Sequence, residues 1–263
     1  MPSPIHHFRL ASSLLVLATG FSLSACQIES NNPFNNQANT QISKQVNSAE
    51  IESTGMLAMH GRQAKAETQL RLWAEAGMPV AQRELALLYM TRPAQRSAAM
   101  ALFEQAANGG DAEAAFQLGE LYRLPHVDHP SDFSKAWSWY QKAAESNSPN
   151  AALMLARMAK NGEGVVRDDV LAVKWLTIAS DLGSPQAMFL LSNAYLAGQG
   201  VKANPGKARE LLEMSAKLDY PVAIHALAMA LQGGDMQIPK DDIRAGHLLK
   251  EANEERHNNW NNL

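Results

Sequence analysis

Two stretches of the chain, NAALMLARMAKNGEGVVRDDVLAVKWLTIAS (150–180) and QAMFLLSNAYLAGQGVKANPGKARELLEMSA (186–216), are written in one register. Ala151, Ala187 and Ala223 stand 36 residues apart; Leu155, Leu191 and Leu227 follow each of them by four, and Gly162, Gly198 and Gly234 by eleven. Apolar residues at one-turn spacing, with Tyr122 and Tyr195 a turn beyond the leucine of their units, lay a seam along a first helix. The glycine permits the left-handed turn that ends that helix. Asp168 and Asn204 then stand where a second helix needs an N-cap, and Ala172 and Ala208 let it approach the alanines of the first. A helix pair of this size cannot bury its apolar faces alone, so the period demands stacking into an α-solenoid.

Outward from this pair the register continues. AEAAFQLGELYR with AWSWYQKAAES, and VAQRELALLYM with AMALFEQAANG, come before it; VAIHALAMALQGG with AGHLLKEAN, one residue longer in its loop, comes after. Five two-helix units are expected at about 77–109, 110–146, 147–182, 183–218 and 219–254, after a lone second-type helix at 64–76. Ala-x3-Leu-Gly-x2-Tyr, intact from Ala114 to Tyr122, the GEGV and GQGV turns, and Ala-x2-Trp/Leu-x3-Ala together resemble Sel-one-like repeats, relatives of the tetratricopeptide repeat. Unit one departs from the pattern in its short inter-helix loop, and unit two in RLPHVDHPSDF, which replaces the glycine turn. The resemblance implies an all-α fold, a right-handed solenoid of about five repeats used as a protein-binding scaffold and generally without catalytic chemistry.

Composition agrees with helix: alanine, leucine, methionine and glutamine are abundant and aromatics make up only 6%. A net charge of −3 and a pI near 6.2 leave no basic footprint for nucleic acid. A single cysteine among 263 residues excludes an internal disulfide and cannot by itself make a zinc cluster.

That cysteine, Cys26, follows Arg9 and an apolar run from Leu10 that is too short and too broken for a membrane span. Leu23-Ser24-Ala25-Cys26 resembles the bacterial lipobox, which implies cleavage before Cys26 and acylation of its thiol and new amine. One acyl chain holds a protein weakly, whereas three make attachment effectively permanent. Gln27, where an aspartate would retain such a protein at the inner membrane, implies sorting to the outer membrane with the repeats facing the periplasm. The domain reading is therefore a signal peptide at 1–25, a flexible tether at 26–50, N-terminal capping helices at 51–76, repeats at 77–254 and a tail at 255–263. Ten of the 22 residues from Gln27 to Ser48 are Asn or Gln, a composition with little to bury.

Candidate chemistry is sparse. His126, Asp128 and His129 offer metal-ligand types in one loop, but nothing nearby in sequence completes or orients a site, so no metal is expected. Asp168-Asp169 and Asp241-Asp242 open second helices, where acids suit the helix dipole better than acid–base catalysis. Trp73, Trp137, Trp139 and Trp175 fall in second helices and are read as core. No nucleophile elbow or phosphate loop occurs, and no cofactor is expected.

By analogy with tetratricopeptide grooves, first-helix positions two and six beyond the repeat alanine line the concave face. The column is Arg83 and Leu87, Phe116 and Glu120, Leu153 and Arg157, Phe189 and Asn193, and His225 and Met229. Apolar anchors among single charges suit a protein or peptide partner of the cell envelope; the competing reading makes Phe116, Leu153 and Phe189 part of the inter-repeat core. Two other functions stay open. One is an enzyme acting on the cell wall or binding β-lactams, like cysteine-rich relatives whose disulfides this chain lacks. The other is a structural spacer.

Overall fold

The structure, a computed structural model, describes residues 46–61, 63–125 and 130–250, and every regular element among them is helical. Two leading helices, α1 (Ser48–His60) and α2 (Ala64–Glu75), precede four complete pairs: α3 (Pro79–Met90) with α4 (Arg96–Asn108), α5 (Ala112–Arg123) with α6 (Phe133–Glu145), α7 (Pro149–Asn161) with α8 (Asp169–Asp181), and α9 (Pro185–Ala197) with α10 (Pro205–Lys217). A fifth pair joins α11 (Pro221–Gly233) to helical backbone at 242–250, here α12. In the four complete pairs each first helix packs most closely on its own second helix, then on the second helix before it. This is the stacking of an α-solenoid.

The chain writes the ends of these helices explicitly. Proline opens α3, α7, α9, α10 and α11, where its missing N–H would have had no intrahelical acceptor. Side-chain oxygens of Asp111, Asp132, Ser148, Asp168, Ser184 and Asn204 accept from first-turn amides. Gly162, Gly198 and Gly234 end their helices with φ of 77°, 69° and 74°, as the repeat pattern requires. The second glycine of GEGV and GQGV has a different task. A Cβ on Gly164 would stand 2.4 Å from the carbonyl oxygen of Phe133, and one on Gly200 would stand 2.1 Å from that of Asp169. These glycines let each turn lie against the start of the preceding unit's second helix.

Alanine sets the helix spacing. Ala81, Ala114, Ala151, Ala187 and Ala223 are fully buried, as are Ala99, Ala136 and Ala208 opposite. One core runs from α3 to α10, with smaller clusters where α1 to α3 meet and where α10 to α12 meet. The tryptophans belong to this packing: Trp73 is buried, and Trp137 and Trp175 of successive second helices meet edge to face at 6.4 Å.

One boundary moves. The stretch read as tether to residue 50 is already helical from Ser48, because Asn47 accepts from the Glu50 amide and caps α1. Cys26, the metal-type residues His126, Asp128 and His129, and the 255–263 tail lie outside the described residues.

Candidate protein-binding face

The first-helix column separates by position. Two residues past the repeat alanine, four of the five side chains are taken up by contacts within the protein. Leu153 is buried in the main core, and Phe116 stacks at a tilt on Tyr140 with centroids 5.6 Å apart. Phe189 does the same with Tyr220 at 5.8 Å. Arg83 is 12% exposed and is held by Asp111, Glu84 and Glu52 at 2.9, 2.9 and 2.6 Å. These four residues are taken up by contacts within the protein, Phe116 with the second helix of its own unit, and Leu153 offers no surface to a partner. His225 is exposed; no described first helix follows α11 to cover it.

Six residues past the alanine, the column turns outward, but its members differ in what they already hold. Leu87 packs against the core. Glu120 accepts from Arg123 at 2.6 Å and from the Tyr140 hydroxyl. Burial pushes the Glu120 carboxyl up, yet the hydrogen bonds from Arg123 and Tyr140, with the charges of Arg123 and the more distant Arg157, outweigh it and leave it below the ordinary carboxylate range; burial beside Glu120 pushes the Tyr140 hydroxyl strongly up. Arg157, Asn193 and Met229 are exposed. Arg157 touches only the sulfur of Met154, at 3.9 Å, among its described hydrogen-bond partners.

Arg157 and Asn193 come together. They flank a notch of about 210 Å³ between α7 and α9, floored by Val173 and Leu176 of α8 and walled by Leu190 and Ala194. Lys160 and Ala197 complete its rim, and Asp169 and Gln199 close one end, the Gln199 amide donating to Asp169 at 3.3 Å. Repeat spacing placed Arg157 and Asn193 on one wall; it did not show the notch, whose floor comes from a second helix.

No group of three His, Cys, Asp or Glu residues among the described residues could hold a metal ion, and no described helix is long and apolar enough to cross a membrane. The arrangement presents an apolar recess with a cationic and amide rim. A recess of this kind suits contact with a polypeptide.

Known proteins locate this fold. Five consecutive segments, 79–111, 112–148, 149–184, 185–220 and 221–257, match the Sel1 repeat, with boundaries about two residues later than the spacing alone suggests. The structure is similar to that of a Sel1 repeat protein from Oxalobacter formigenes, with 22% identity and a TM-score of 0.63 over 83% of this chain and 96% of that one. It is also similar to c5321, a protective antigen with an SLR fold present in uropathogenic Escherichia coli strains, with 23% identity and a TM-score of 0.66 over 83% of this chain and 48% of that one. No curated protein matches the sequence.

Proposed function

Because the chain belongs to the Sel1 repeat family, whose members typically mediate protein–protein contact, we propose that it is a lipid-anchored scaffold of the cell envelope that holds a protein partner on its first-helix face. The observation that carries the reading is the contrast along that face. Arg83 and Glu120 are satisfied within the protein, whereas Arg157 and Asn193 are exposed around an apolar recess and His225 is exposed on α11. Hot-spot contacts form where an apolar pocket is ringed by polar groups of this kind. The notch is lined mainly by apolar side chains with Arg157, Lys160 and Asn193 at its edge, which favours a scaffold over the cell-wall enzyme. A spacer would have no use for a shaped recess.

The anchor rests on the sequence: Leu23-Ser24-Ala25-Cys26 directly after an apolar run, with no other cysteine in the chain. Acylation there places the repeats at a membrane surface, and Gln27 favours the outer membrane with the solenoid toward the periplasm.

Fractionation tests this half of the proposal. Cys26→Ser is expected to leave the membrane fraction or to persist as an uncleaved precursor. A serine variant that is cleaved and partitions like the parent would remove the anchor. The binding half is tested by photo-cross-linking amino acids placed singly along the first and second helices of the full chain in cells. Cross-links are expected from Asn193 and His225 and not from Lys174 and Met214, which are exposed on the second helices α8 and α10.

A further inference from the structure

We propose that the notch between α7, α8 and α9 takes one large apolar side chain of the partner together with a neighbouring carboxylate, so that the ligand is an extended protein segment carrying an apolar and an acidic residue side by side. This rests on the protein-binding reading above and names what the partner presents.

The inference comes from comparing units two and three, which share one register. In unit two the second helix carries Trp137 and Tyr140 where unit three carries Val173 and Leu176. Across the recess the following first helix carries Met158 and Asn161 where the next unit has Ala194 and Ala197. All four positions shrink together, and the open volume appears where they shrink. The polar rim changes at the same place. Unit two sets Glu120 and Arg123 at the positions of Arg157 and Lys160, and Glu120 takes hydrogen bonds from both Arg123 and Tyr140. Unit three keeps the cation at Lys160 but puts a second cation, Arg157, where the carboxylate was. What unit two supplies from its own chain, a large ring and a carboxylate, unit three lacks.

Charge complementarity then fixes the ligand. No carboxylate lies within ion-pair distance of Arg157 or Lys160 among the described residues, although Arg71, Arg83, Arg92 and Arg123 all have one. Asp169, the acid on the rim, receives Gln199 and lies 3.7 Å from Arg167. Two like charges three residues apart weaken an isolated helix. The helix dipole favours Lys160 in the last turn but does little for Arg157 a turn earlier. A partner carboxylate would relieve both, with the guanidinium free for a two-point contact. The size of the notch suits a single side chain. A cavity of about 150 Å³ holds a benzene ring, drug-sized molecules need upwards of about 300 Å³, and this notch is about 210 Å³. It fits one side chain.

The test uses the full chain and fluorescein-labelled Gly/Ser peptides, capped at both ends, with a central Leu-Glu, Leu-Lys or Ala-Glu pair, followed by anisotropy. Leu-Glu is expected to bind about tenfold more tightly than either control. Arg157→Gln combined with Lys160→Gln should abolish the preference for Leu-Glu over Leu-Lys. Ala197→Leu should abolish the preference for Leu-Glu over Ala-Glu. Melting temperatures identify any variant that fails to fold, and the peptide series alone decides the matter without variants. Equal affinity for the three peptides, or no binding up to millimolar peptide, overturns the proposal. If cross-links are then still confined to Asn193 and His225, only this ligand falls and the first-helix face stands; cross-links confined to the second helices would remove both.

Discussion

Asn147 and Asp219 occupy the position that Gly77, Gly110 and Gly183 fill in the other turns between units, and all five have positive φ. A Cβ on the three glycines would meet nothing within 4 Å, so the backbone angle alone selects glycine there, and Asn or Asp can substitute at a cost. Asp219→Gly and Asn147→Gly are expected to raise the melting temperature, whereas Gly183→Ala should lose about 1 kcal/mol in urea denaturation. A stabilising Gly183→Ala would mean that this turn does not hold its left-handed angle. Ala187, fully buried at the helix crossing, leads to the opposite expectation for size: Ala187→Leu should cost about 1–3 kcal/mol by overpacking, and an unchanged urea midpoint would contradict that. The alanines, the capping glycines, Asp168 and Asn204 are legible in the sequence because their reasons lie within one helix or turn. Gly119 is not. A Cβ there would stand 2.5 Å from the Tyr140 ring, a neighbour on another helix that no local pattern announces.

At the scale of elements, the leading helices are fastened by charge as much as by apolar packing. Arg83 gathers Glu52 of α1, Glu84 of its own helix and Asp111 at the start of α5, so one guanidinium ties three elements. Burial pushes the Glu84 and Asp111 carboxyls up in spite of that cation. Arg83→Met would strand both, and breaking a buried pair this way costs about 3–5 kcal/mol. Amide exchange in α1 should rise first, and unchanged protection there would show that the cluster does not hold the helix. Glu67 does similar work for α2, receiving Arg92 at 2.7 and 3.0 Å and Arg71 at 2.7 Å. The Arg92 hydrogen bonds, aided by Arg71, bring the Glu67 carboxyl down to about 2 from an ordinary 4.5. A carboxyl depressed on folding adds stability that is complete above its ordinary value and is lost as pH falls toward about 2. Glu67→Gln should therefore lower the melting temperature at pH 7 but much less near pH 2, and an equal loss at both would contradict the pairing. The sequence marks α1 only as part of a capping stretch at 51–76, because the residues that order it lie on α2 and α3, with Arg83 31 residues from the Glu52 it holds.

Across the whole molecule, repeat spacing was enough to give the solenoid, the unit count and the wall on which Arg157 and Asn193 meet. It was not enough to divide the ten-residue column. Whether Phe189 faces a partner or Tyr220 depends on how far each unit rotates onto the next, and that angle is set by packing summed over both helices. The same rotation buries Leu153, whereas His225 is exposed because no described first helix follows α11. Phe189→Ala is accordingly expected to act on stability first, by about 3–5 kcal/mol if its ring is as well packed as a core phenylalanine. Arg157→Ala, on the surface, should weaken partner capture with little change in melting temperature. The most direct measurement is the yield of cross-links from a photoreactive amino acid at Asn193 compared with one at Lys174, in the full chain and in its own envelope. A discrete partner band from Asn193 that Lys174 does not give, and that weakens with Arg157→Ala, is the expected result. A band from Lys174 alone, or equal bands from both, would contradict a binding face built from the first helices.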